Sequence, residues 1–116
     1  MIKNLTEIRE RFLKEETPMR LGHLASDLSR VASLLEMQVK GGTIKGVLEE
    51  AKFFAEWAAK EAPLETQIFL AEIQGFLARN EISWEASLGD AYWRKDVATQ
   101  SRTWAEELLN KAGFVR

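Results

Sequence analysis

The chain has 116 residues, 46% of them hydrophobic and 29% charged, with sixteen basic against eighteen acidic side chains and no cysteine. That length suits one domain, spanning 1–116, that buries roughly 65% of its unfolded surface in a single core. Lack of cysteine excludes a disulfide framework, a thiolate metal site and a Cys nucleophile, and the interspersed charges leave no basic stripe of the kind a nucleic-acid binder needs.

The opening residues Met1-Ile2-Lys3-Asn4-Leu5 run straight into charges with no apolar leader, which is the pattern of a cytoplasmic chain. Asn4 with Glu7 three residues on reads as a capping box, so the first helix is expected from about Leu5 to Glu16. Leu5, Ile8 and Phe12 make its apolar stripe, flanked by Leu13. Thr17-Pro18 then restarts the chain, because Thr is a good N-cap and Pro fits the first helical position, where its missing N–H costs nothing.

The second helix, Pro18 to Met37, carries two stripes at helical spacing. Leu21, Leu24, Leu28, Val31 and Leu35 are large and apolar, whereas Gly22, Ser26, Ser29 and Ser33 repeat the rhythm out of phase and let a second backbone come close. His23, Asp27 and Arg30 form a third, polar strip, set against the leucines. A general base oriented by a carboxylate is one use for that strip, since imidazole titrates near neutrality. The favoured use is a solvent-facing polar set with weak contacts along the helix, because nothing in the sequence ties a nucleophile to it.

Gly41-Gly42 is expected to end the second helix with left-handed glycines, and Thr43 to cap the third. That helix, Ile44 to Glu61, places Ile44, Val47, Leu48, Ala51, Phe54, Ala55 and Ala58 on one face. A second strip of Gly46, Phe53 and Trp57 lies beyond it. Ala62-Pro63 breaks the pattern, because proline disfavours the α conformation in its predecessor. The fourth helix, Pro63 to about Arg79, has two apolar sectors: Phe69, Leu70, Ile73, Phe76 and Leu77 in one, and Leu64, Ile68, Ala71, Gly75 and Ala78 in the other. Only narrow polar strips separate them, which predicts a helix enclosed in the bundle or seated at a subunit interface.

Asn80 to Ser83 reads as a connection, with Ser83 capping a segment from Trp84. Gly89-Asp90 reads as a second break, with Asp90 capping a last helix through Ala112 and Gly113 terminating it. That helix faces inward through Trp93, Val97, Ser101, Trp104, Ala105 and Leu108. No stretch alternates as a strand does. The most apolar run, Ile68 to Ala78, contains Glu72 and Gln74, well short of the ~20 apolar residues of a membrane span.

These readings converge on an all-α, up-and-down antiparallel bundle of four to five helices, with the second and fourth most enclosed. No phosphate loop, Gly-x-Ser-x-Gly elbow or dinucleotide fingerprint is present. The single histidine rules out the Glu-x-x-His pairs of a di-metal bundle. A carboxylate-only magnesium site on Glu49, Glu50, Glu65 and Glu72 is less expected than four ordinary surface glutamates. The leading expectation is therefore a non-enzymatic interaction module without cofactor or metal. It binds a second copy of itself rather than nucleic acid or membrane, through Phe53, Trp57, Ile68, Gly75, Trp93 and Trp104. The alternative is a ligand-binding or catalytic pocket between helices near His23, Glu72 and Arg79.

Overall fold

Proline and glycine punctuate the chain where their chemistry requires it. A computed structural model describes residues 4–37 and 41–114. Within them α1 spans Leu5–Lys14, α2 Thr17–Glu36, α3 Gly41–Ala58, α4 Leu64–Ser87 and α5 Ala91–Ala112, with a 3-10 turn at Ala59–Glu61. Pro18 lies in the first turn of α2, and Ala62 is extended ahead of Pro63 as a pre-proline residue must be. Asp90 accepts hydrogen bonds from the N–H groups of Tyr92 and Trp93 at 2.9 and 3.4 Å, capping α5 as expected. Gly113 takes φ 83°, and Phe114 N–H reaches Leu109 O at 3.0 Å, which closes α5 with a Schellman turn.

Adjacent helices run antiparallel. Arg102 near the middle of α5 pairs with Glu36 at the end of α2, while Phe114, just beyond α5, lies against Gly22 near the start of α2. Lys52 of α3 pairs with Glu81 of α4 at 2.8 Å, and Gln74 further back reaches Glu56 further on. The bundle measures 37 × 34 × 20 Å, two helix diameters thick in its short direction. The most extensive packing joins α2 to α5, then α3 to α4 and α2 to α3. Small residues explain the first contact, because Ala25 and Ala32 of α2 and Ala98, Ser101 and Ala105 of α5 are all buried. The gap between α4 and α5 is instead filled by rings: Trp104 meets Phe76 edge-on at 5.0 Å and Phe69 at 6.4 Å.

The core is built from the predicted faces of α2 and α3. Leu24, Leu28, Val31, Leu35, Ile44, Leu48 and Ala51 are fully buried, each of the larger ones contributing roughly 1.5–3 kcal/mol through removal from water. α1 closes one side through Phe12, stacked 4.5 Å from Phe54. Its last carbonyls, which no helical N–H can reach, are covered by the buried Arg20: Nη2 donates to Leu13 O at 2.6 Å and Nε to Glu15 O at 2.8 Å. The remaining nitrogen, Nη1, meets Glu61 Oε1 at 2.7 Å. One guanidinium thereby ties the α1–α2 corner to the 3-10 turn.

Several expectations need correction. Asn4 adopts the left-handed conformation and makes no side-chain cap, so the capping box does not form. Thr17 is the first residue of α2 rather than its cap. Gly41, Gly42 and Thr43 all belong to α3, and the connection that the double glycine was expected to make falls across 38–40, outside the described residues, as do the first three residues of the chain. α4 does not end at Arg79 but runs to Ser87. Asn80 is compatible with that helix because its amide donates back to Phe76 O at 2.8 Å, while its carbonyl accepts from Trp93 Nε1 at 2.8 Å. The Lys52–Glu81 pair holds the added turns to α3. The best-enclosed helices are α2 and α3, since α4 buries only Thr66, Leu70, Ile73 and Leu77.

Candidate functional site

Two features of the surface bear on function: an open cleft where α1, α2 and α3 meet, and the outer face of α4. The open cleft holds about 340 Å³, near the lower end of the roughly 300–1,000 Å³ found for small-molecule sites. Ile8, Phe12 and Phe54 form its apolar wall, and Arg11, Glu15, His23 and Glu50 bring polar groups to it. The His23 ring stands 6.1 Å from Phe12 and 6.4 Å from Phe54, and its Nε2 lies 3.9 Å from Glu15 Oε1.

Behind Glu50 lies Asp27, one helical turn beyond His23 and only 4% exposed. Its expected place in solvent is therefore wrong. The helical wheel carries the reason: at 100° per residue Asp27 projects about 40° from Val31 and about 60° from Leu24, on the margin of the leucine stripe. Arg20 shares that margin and is also buried. Burial pushes the Asp27 carboxyl up to about 8; its hydrogen bond to Glu50 and the Glu50 charge add to the rise, and Arg30 opposes it. Arg30 Nη1 approaches Asp27 Oδ1 at 3.7 Å, too far for a hydrogen bond. Asp27 therefore keeps its proton at neutral pH. Glu50 is the residue that sequence reasoning left among surface glutamates; its place beside a margin residue of α2 is a property of the α2–α3 crossing.

Glu72 and Arg79 do not join His23. Both are exposed on α4, flanking its outer apolar face. That face runs through Leu64, Ile68 and Ile82, exposed by 71%, 64% and 86%, with Ala71 and Gly75 between them. Projected along the helix it lies opposite the buried Leu70, Ile73 and Leu77. Of the aromatic residues expected at a partner surface, Trp57 is buried against Phe12 and Phe54 at 5.8 and 6.0 Å. Phe53 stacks on Trp57 at 5.6 Å and is half-buried. Trp104 is buried with Phe76, and Trp93 is half-buried and bonded to Asn80. Ile68 and Gly75 alone of the six stand on one outward face.

Among the described residues no three His, Cys, Asp or Glu side chains are placed to hold a metal ion, and no helix is long and apolar enough to cross a membrane. No protein-family model matches the chain, and no curated protein or solved structure is significantly similar to it.

Proposed function

We propose that this protein is an interaction module that pairs with a second copy of itself through the outer face of α4. The observation that carries this reading is the arrangement about Gly75: Ile68 and Ile82 each lie seven residues away from it, on one face, and both are largely exposed. A two-fold axis through Gly75 would set two α4 helices antiparallel, with Ile68 of one copy against Ile82 of the other. Gly75 has only Arg79 Nη1 within reach of an added Cβ, at 3.4 Å, so its open surface admits a close backbone approach. In the same arrangement Glu72 of one copy lies beside Arg79 of the other, a pairing of opposite signs at the rim.

The size of the face limits the strength of the contact. From Leu64 to Ile82 the helix rises about 27 Å, and a strip about 10 Å wide gives roughly 300 Å² on each copy. That is well under the roughly 1,200 Å² total of a stable specific interface. A weak, concentration-dependent dimer is the expected species. Sedimentation velocity from about 1 µM to about 1 mM should show monomer giving way to dimer. Ile68→Glu and Ile82→Glu should keep the helical circular dichroism and remain monomeric. A wild-type chain that stays monomeric throughout, or a dimer unaffected by both substitutions, overturns the proposal.

A further inference from the structure

We infer, resting on the pairing through the outer face of α4, that Glu72 and Arg79 set the direction in which two copies of this chain meet, admitting antiparallel α4 helices and rejecting parallel ones. The apolar residues leave that direction open. A two-fold axis along the helices would seat Gly75 on Gly75 and each of Ile68 and Ile82 on its own copy, as closely as the antiparallel arrangement seats Ile68 on Ile82. The charges beside them discriminate.

Projected at 100° per residue, Glu72 and Arg79 fall about 20° apart, on one edge of the outer face. Both are exposed, and neither has an ion-pair partner among the described residues. In an antiparallel pair each edge meets the same edge of the other copy. Glu72 precedes Gly75 by three residues and Arg79 follows it by four, so Glu72 comes level with Arg79 of the other copy, and symmetry repeats the contact. Two pairs of opposite sign result. In a parallel pair that edge meets the other edge of the second copy, where Gln67, Ala71, Gln74 and Ala78 carry no charge. Glu85, also on that other edge, stands six residues beyond the level of Arg79, about 9 Å along the helix. In the single chain, Arg79 Nη1 stands 3.4 Å from where a Cβ on Gly75 would lie. The guanidinium therefore leans over the middle of the face and turns out to its edge when the copies meet.

Glu72→Arg presents a second positive charge to Arg79 of the other copy, and Arg79→Glu presents a second negative charge to Glu72. Each variant alone meets like charges twice, whereas a mixed dimer with one chain of each regains two opposite pairs. Both positions are exposed, so both variants should keep the wild-type helical circular dichroism. Sedimentation equilibrium in about 50 mM salt, over the concentrations that dimerise the wild type, should show either variant alone weakened at least about fivefold, the change expected when two exposed pairs turn from attraction to repulsion. An equimolar mixture should return to about wild-type association, a rescue that a change in folding would not give. Raising salt to about 500 mM should weaken the wild type several-fold. A mixture no more associated than either variant alone, or single variants as associated as the wild type, overturns the role of Glu72 and Arg79 and leaves the α4 contact standing. A wild-type chain that stays monomeric throughout overturns both.

Discussion

Replacing Asp27 by Asn tests whether the buried acid is protonated in the folded protein. Its carboxyl is raised from an ordinary 3.8 to about 8, chiefly by burial. An acid whose folded value lies above its unfolded one takes up a proton on folding, so its contribution is complete below the unfolded value and is lost as the pH rises toward the folded one. The ceiling is about 1.4 kcal/mol per pH unit, or roughly 4 kcal/mol by pH 7. Asparagine imitates the protonated acid: it carries no charge and can donate to Glu50. Denaturant unfolding between about pH 5 and pH 8 should show the wild type losing stability as pH rises and Asp27→Asn losing far less. The variant should be more stable throughout that window, with a margin that widens by at most about 1.4 kcal/mol per pH unit between pH 5 and pH 7. That window avoids the Glu36–Arg102 pair, in which the hydrogen bond from Arg102 lowers the Glu36 carboxyl; its contribution is present above 4.5 and fades only as pH falls through the lowered value. Parallel wild-type and Asp27→Asn profiles would refute a protonated Asp27 in the folded protein.

Ser101 is fully buried on α5, and its hydroxyl has no hydrogen-bond partner among the described residues. Ser101→Ala should therefore hold or raise stability by up to about 1 kcal/mol in urea unfolding, whereas Ser101→Leu should cost about 1–3 kcal/mol by overpacking the α2–α5 contact. Gly46 stands on the exposed side of α3 with no atom of the described residues within 4 Å of an added Cβ, so Gly46→Ala should stabilise by about 0.5–1 kcal/mol, measured as a rise in Tm. Arg20→Met keeps most of the side chain's volume but removes its donors to Leu13 and Glu15 and its pairing with Glu61. A loss of about 2–4 kcal/mol in denaturant unfolding is expected.

How far the sequence could be read depended on the range of the interaction involved. The margins set by proline and by the Asp90 cap were legible because each is satisfied within a few residues. Asn80 to Ser83 misled for the same reason: taken locally, Asn and Ser favour a break, but Trp93, thirteen residues on, donates to Asn80 while α4 continues unbroken through it. The large stripe of α2 correctly named the core, while two residues of its small stripe lie against α5 and the residue beyond it. Gly22 packs against Phe114, and Ser33 receives Arg102 at 3.3 Å. Excess apolar surface on α4 was visible in its periodicity. Which sector the core would take was not, since two opposite faces with similar hydrophobicity are equivalent until neighbours arrive.

The sequence by itself determined that this chain is all helical, where its strongest stops fall, and which faces of α2 and α3 make the core, because helical period and turn chemistry are local. Tertiary structure alone decided that α2 pairs with α5 through small residues, that α4 keeps Leu64, Ile68 and Ile82 outside, and that Asp27 lies buried against Glu50. Those outcomes depend on which helices cross and how closely. A charge at the margin of an apolar stripe is solvated or enclosed according to the neighbour it meets, and that neighbour comes from a distant part of the chain.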